Sequence, residues 1–182
     1  MRPPPQLAVY RHGPHITEFR VENWRLSRDG TNRVIMGVTG WRWYYAVVPL
    51  ILSLLLPRVQ DKPAAMLGIG LVLTCLVYKK CTQVLWESVI VFPSLGVQLE
   101  THRGLPWFTP LKVDRQFIPL ESLEDFVIHE GLYGWNVRYY LAAITASPSG
   151  AVQIYVAFEN LLPHFPVLLP IYRGVQNILR DT

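Results

Sequence analysis

Two uncharged apolar runs dominate the middle of the chain. The first extends from Trp43 to Pro57 and the second from Pro63 to Tyr78, with Arg58-Val-Gln-Asp-Lys62 between them. Both are apolar all round, whereas a helix lying on a soluble core keeps a polar face. The pattern predicts two helices joined by a short loop, a membrane hairpin over residues 41–80. At about 1.5 Å per residue each run reaches roughly 22–25 Å, less than a hydrocarbon core about 30 Å thick. Arg42, Arg58, Lys79 and Lys80 flank the runs and can snorkel to lengthen each span. Trp41, Trp43, Tyr44, Tyr45 and Tyr78 would form an interfacial belt on one side. A re-entrant hairpin and a helix pair buried in a soluble core are the other readings of runs this short.

Beyond the runs the period of the pattern changes. Gln83–Phe92 is β-branched and aromatic and ends at Pro93; Ser94-Leu-Gly96 reads as a turn; Val97–His102 alternates apolar and polar positions. Arg115–Pro119 and Leu123–Glu130 are further strands. Gly131-Leu-Tyr-Gly134 reads as a break, Trp135–Thr145 as a long strand, and Val152–Phe158 as its antiparallel return after Pro148-Ser-Gly150. Leu168, Ile171, Tyr172, Val175, Ile178 and Leu179 share one face of a final helix. The expected fold class is α+β: a two-helix membrane hairpin followed by a small antiparallel β domain, pleckstrin-homology-like, with a C-terminal helix. A split barrel of another strand order fits the same periodicity. The expected division is an N-terminal segment 1–40, the hairpin 41–80 and a domain 81–182.

Composition sharpens this picture. Hydrophobic residues make up 51% of the 182 residues and charged residues 16%, against about 25% charged in an ordinary soluble domain, which favours a chain partly in lipid. The net charge of +4 is modest and the early arginines are scattered, from Arg2 to Arg42. No nucleic-acid-binding motif accompanies them, so a nucleic-acid partner is not expected. No signal peptide opens the chain, so insertion would use internal segments. Cys75 and Cys81 have no partner at metal-ligand spacing and read as reduced thiols. With both termini on one side of a hairpin, the thiols and flanking basic residues favour the cytosol for that side.

Candidate chemistry is sparse. His12 and His15 flank Gly13-Pro14, which rules out a helical metal-binding face. His129 and Glu130 are adjacent on a strand and so point to opposite faces. There is no Asp-x-Asp, no glycine-rich phosphate loop and no pair of glutamates eight apart. The expectation is a non-enzyme without metal or cofactor. Arg103, Lys112, Arg115 and Arg138 leave open a lipid-headgroup pocket, and with it an alternative function as a stand-alone membrane lipid-binding module.

Several stretches are similar to the PIG-H family: Glu87-Ser88 with Ser94-Leu-Gly-Val-Gln98, Ile118-Pro119, Asp125–Glu130, Asn136–Leu141, and Leu169–Leu179. The resemblance covers 83–182 and the placing of the apolar hairpin before them; Gly131 and Gly134 depart from the family's pattern. It implies an accessory subunit of the complex that transfers N-acetylglucosamine (GlcNAc) from UDP-GlcNAc to phosphatidylinositol, the first step of glycosylphosphatidylinositol (GPI) anchor synthesis. Catalysis would reside in PIG-A, and PIG-C, PIG-P, PIG-Q and membrane lipid would be further partners. The implied location is the endoplasmic reticulum membrane with both termini cytosolic. The aromatic-rich segment 130–140 is the expected interface, with Glu130, Tyr133, Trp135, Arg138 and Tyr140 as candidate contacts. Core filling by Trp135, Tyr139 and Tyr140 is the competing reading.

Overall fold

A computed structural model describes residues 6–13, 16–26, 34–37, 47, 51–54, 57, 62–105, 109–146 and 150–180. Alternation of apolar and polar residues builds most of it. In chain order the elements are strands β1 (Gln6–Arg11), β2 (Thr17–Glu22), β3 (Trp24–Leu26) and β4 (Val34–Gly37), then helix α1 (Pro63–Cys81). Strands β5 (Val84–Phe92), β6 (Gly96–Arg103) and β7 (Lys112–Pro119) follow, then a 3-10 turn (Leu120–Ser122). Strands β8 (Leu123–Tyr133), β9 (Asn136–Ala146) and β10 (Val152–Ala157) precede the final helix α2 (Phe165–Arg180).

The strands form an antiparallel five-stranded sheet, β1-β2-β5-β6-β7, an antiparallel three-stranded sheet, β10-β9-β8, and the separate pair β3-β4. Period-2 patterning decides which side chains turn inward. On the five-stranded sheet these are Phe19 and Val21, Val89 and Val91, Val97, and Ile118; on the three-stranded sheet, Phe126, Leu141 and Ala143. Helix α2 closes this core with Leu168, Ile171 and Val175, all fully buried, each worth about 1.5–3 kcal/mol of transfer free energy. Gly174 lets the helix lie directly on the Phe19 ring, because a Cβ there would run into the ring.

The expected membrane hairpin is not found. Among the described residues no helix is long and apolar enough to cross a membrane. The second run does form a helix, α1, but Lys79 and Lys80 occupy its last turn. The uncharged stretch before them covers roughly 24 Å at 1.5 Å per residue. The first run falls mostly outside the described residues. The integral endoplasmic reticulum placement, with both termini cytosolic, rested on a transmembrane helix and is withdrawn with it.

The pleckstrin-homology-like barrel is likewise corrected. β7 pairs with β6 and β10 with β9, and the two sheets stay open. A closed barrel would require hydrogen bonding from one sheet to the other. The five-stranded sheet instead takes its far strands from residues 6–22, where β2 pairs along β5 from Thr17 opposite Val91 to Glu22 opposite Trp86.

Candidate partner-binding site

Strands β8 and β9 form the longest hairpin, each 11 residues, or about 36 Å at 3.3 Å per residue. Its inner half is core: Phe126 pairs with Ala143 and Ile128 with Leu141. Gln176 of α2 anchors it, donating from Nε2 to the Phe126 carbonyl at 3.0 Å. The outer half runs from His129 opposite Tyr140 to Tyr133 opposite Asn136. It has the same alternation without the cover. Leu132 is 86% and Val137 56% exposed, and Trp135 at the tip is fully exposed.

The turn is Gly134-Trp135, and Gly134 has φ +61°. A two-residue hairpin turn of the II′ kind demands positive φ at that first position. Gly131 does not break the strand as the sequence suggested. It sits inside β8 opposite Arg138, and the Tyr140 ring takes the space a side chain would fill.

The hairpin divides the predicted contact residues between its faces. Arg138 and Tyr140 lie on the outward face, with Gly131 and with His129, whose ring stacks on Tyr140 at a centroid distance of 6.1 Å. Glu130 lies on the opposite face, directly across from Tyr139. Its carboxylate accepts a hydrogen bond from the Tyr139 hydroxyl, which raises that phenol's pKa. Trp135 stands at the tip, clear of both faces. Tyr133 ends β8, and its side chain is outside the described residues.

Sequence reasoning missed Leu132, Val137 and Phe165, which help give the inner face its shape. Beneath the hairpin an open notch of about 420 Å³ is lined by Val137, Arg138, Tyr139 and by Pro163 to Pro166, which lead into and begin α2. Tyr139 and Phe165 meet there with ring centroids 5.0 Å apart. With Leu132 and Val137 they carry the core face outward as an exposed apolar strip. An uncovered strip of this kind, edged by Glu130 and Arg138, suits a protein surface better than water. The signal was present in the sequence: Leu132 and Val137 have the same parity as Ile128 and Leu141.

The outward face of the five-stranded sheet carries the polar chemistry. Glu18 accepts from Arg20 Nε at 2.9 Å and contacts His12 Nε2 at 2.7 Å. Burial pushes its carboxyl up, but these hydrogen bonds outweigh it and hold the pKa below the usual range. Glu100 is held low in the same way by His102, Arg115 and Gln98 against the effect of burial. Arg20 lies over the rings of both Tyr10 and Trp86, and His102 stacks on Trp86 at 4.5 Å. Burial holds the His102 pKa below its ordinary value. Both carboxylates are thus committed to cations, an arrangement that braces a sheet. Among the described residues no three His, Cys, Asp or Glu side chains converge to hold a metal. His15 lies outside the described residues.

Residues 88–159, from within β5 to just past β10, match the family model described as "GPI-GlcNAc transferase complex, PIG-H component". The matched stretch contains the whole β8–β9 hairpin. The chain matches the PIG-H domain over this stretch and aligns with PIG-H and gpi15 proteins of several species. Among curated relatives, the phosphatidylinositol N-acetylglucosaminyltransferase subunit gpi15 of Schizosaccharomyces pombe is 37% identical over 95 residues, 52% of this chain and 55% of the relative. The H subunit of the same enzyme from Homo sapiens is 29% identical over 96 residues, 51% of this chain and 48% of the relative. Its Mus musculus counterpart aligns at 24% identity over 95% of this chain and 86% of its own length. The chain thus matches about half the length of the first two of these PIG-H relatives. No solved structure matches it.

Proposed function

We propose that this protein is a non-catalytic subunit of the complex that transfers GlcNAc from UDP-GlcNAc to phosphatidylinositol, and that it holds the catalytic glycosyltransferase subunit through the β8–β9 hairpin. The observation that carries this reading is the hairpin itself. It lies inside the PIG-H match, it is anchored at its base by core packing, and beyond that base it exposes Leu132, Trp135 and Val137. Rigid aromatic and aliphatic anchors on a braced element are what a protein interface uses for affinity.

The catalytic partner in this reading is PIG-A, with PIG-C, PIG-P and PIG-Q as fellow subunits. The test is recovery of the transferase with the tagged full chain in mild detergent, wild type against Trp135→Ala and Leu132→Asp. Loss of the transferase with unfolding temperature unchanged supports the interface. Undiminished recovery removes it.

A second reading, a stand-alone lipid-binding module, draws on α1. Its residues Leu67, Leu71, Val72 and Val77 are exposed along an uncharged surface that ends in Lys79 and Lys80. Flotation of the purified full chain with phosphatidylinositol-containing vesicles, in the absence of any partner, tests it.

A further inference from the structure

The two sheets face each other across a cleft bounded by edges that carry no further strand among the described residues. Strand β7 ends the five-stranded sheet and β10 ends the three-stranded one. Between them lies an open groove of about 480 Å³. Leu99 and Thr101 of β6 contribute to its floor. Asp114, Arg115 and Gln116 of β7 form one wall, and Ile154, Tyr155 and Val156 of β10 the other, with Glu159 beside them.

The two edges are finished differently. β7 carries Lys112, Asp114 and Arg115 and ends at Pro119, the charges and proline that discourage strand addition. β10 reads Val-Gln-Ile-Tyr-Val-Ala, with no charge or proline, and pairs with β9 in unbroken register. Ile154 is 60% exposed. An edge left in this state presents main-chain donors and acceptors to an incoming extended backbone.

We infer that this cleft receives one extended peptide segment of a partner protein, added as a fourth strand to β10. The inference rests on the reading of the chain as a binding subunit and adds a second contact, away from the β8–β9 hairpin. Two features of the groove select the occupant. It has β7 for its other wall, so it admits a single strand, whereas the sheet of a second copy would meet that wall. The charge is also one-sided. Asp114 is engaged by Lys112 at 2.9 Å, and Arg115 by Glu100 at 2.8 Å. Glu159 has no ion-pair partner among the described residues. A segment with alternate apolar side chains, lying beside Ile154 and Val156 on one face of β10, and one Lys or Arg beside Glu159 therefore fits.

The experiment pans a displayed library of random octapeptides on the immobilised full chain and measures the enriched peptides by fluorescence polarisation. The transferase is absent, so failure here leaves the proposed function standing, and loss of that function leaves this result standing. The expected peptides alternate apolar residues and carry one basic residue. Ile154→Arg and Glu159→Lys each weaken them at least tenfold, with unfolding temperature unchanged. Exchanging the basic residue of the peptide for Glu restores binding to Glu159→Lys, and bound peptide slows hydrogen exchange across 152–157. Three results overturn the inference: no enrichment, enriched peptides indifferent to both substitutions, or protection confined to the β8–β9 hairpin. Sedimentation showing a dimer that Ile154→Arg converts to monomer also overturns it, because the occupant is then a second copy.

Discussion

The ring of Tyr140 lies against the backbone of Gly131, its Cε1 3.0 Å from where a Cβ on that glycine would stand. Gly131 pairs with Arg138, so Tyr140 reaches it diagonally from two residues along β9. Such an aromatic covers a strand glycine that would otherwise weaken the ladder. The hairpin therefore keeps its pairing past a residue that normally loosens a strand.

Gly131→Val forces the Tyr140 ring off the strand. We expect a loss on the order of 1–3 kcal/mol, the usual range for overpacking, confined to the outer half of the hairpin. Hydrogen exchange should quicken at 129–140 and stay unchanged in β5 and β6. Equal acceleration throughout would mean that the ring contact has no local role.

Glu87 sets the chain's path from β10 into α2. Its buried carboxylate accepts from Asn160 Nδ2 at 2.6 Å, from the Leu161 backbone N–H at 3.1 Å, and from the Asn160 N–H and the Thr101 hydroxyl, both at 3.3 Å. The loop it holds contains Phe158 and Leu162, both with positive φ. Glu87→Ala removes the charged acceptor these half-buried or exposed donors share, and a hydrogen bond to a charged group contributes about 1.5–3 kcal/mol. Thermal unfolding should show a loss on the order of 3 kcal/mol. Glu121→Ala, on the exposed 3-10 turn, should stay within about 0.5 kcal/mol.

Gly174→Ala opposes two effects. Alanine gains up to about 1 kcal/mol of helix propensity, but its methyl group collides with the buried Phe19 ring. Overpacking of about 1–3 kcal/mol should win, so unfolding temperature falls. Adding Phe19→Leu should recover part of the loss. A rise in stability with the single substitution would contradict the close approach.

Acid should destabilise the fold in two stages. The folded pKa of His102 is depressed, so the folded state resists protonation and stability declines as pH falls below the unfolded value of about 6.5. Glu18 and Glu100 are also depressed. Their contribution is present above the ordinary glutamate pKa of about 4.3 and is lost as pH falls through their folded values. His102→Gln should remove the upper stage and leave the lower one in a pH series of denaturant midpoints. An unaltered upper stage in that variant would assign it to another group.

Local pattern gave much of the strand content, because alternation is a property of single segments. Val97–His102 and Val152–Ala157 lie in β6 and β10. It also held signals that went unread: Thr17–Glu22 alternates as cleanly, and Leu85, Glu87, Val89 and Val91 share a parity that marks Glu87 as buried. Pairing is not local. Nothing within residues 17–22 says that they lie against β5, and nothing within β7 or β10 says that the sheets stay open. The glycine pair misled for the same reason, since the ring that covers Gly131 comes from the neighbouring strand. The hydropathy of 63–78 located a helix, but that helix meets its lysines too early to cross a membrane. Of the predicted contacts, Arg138 and Tyr140 share a face, while Glu130 and Trp135 stand apart from them.

The central claim is that the exposed hairpin tip holds the transferase. The most direct measurement is a pull-down of the tagged full chain, wild type and Trp135→Ala, from mild detergent, with UDP-GlcNAc transfer to phosphatidylinositol assayed on each eluate. Because Trp135 touches no core, the variant should unfold at the wild-type temperature, within about 0.5 kcal/mol. It should bring down at least tenfold less transferase, the effect of about 1.4 kcal/mol at a binding hot spot. Equal activity in both eluates would contradict the claim, as would transfer by the wild-type chain after the partner subunit has been removed.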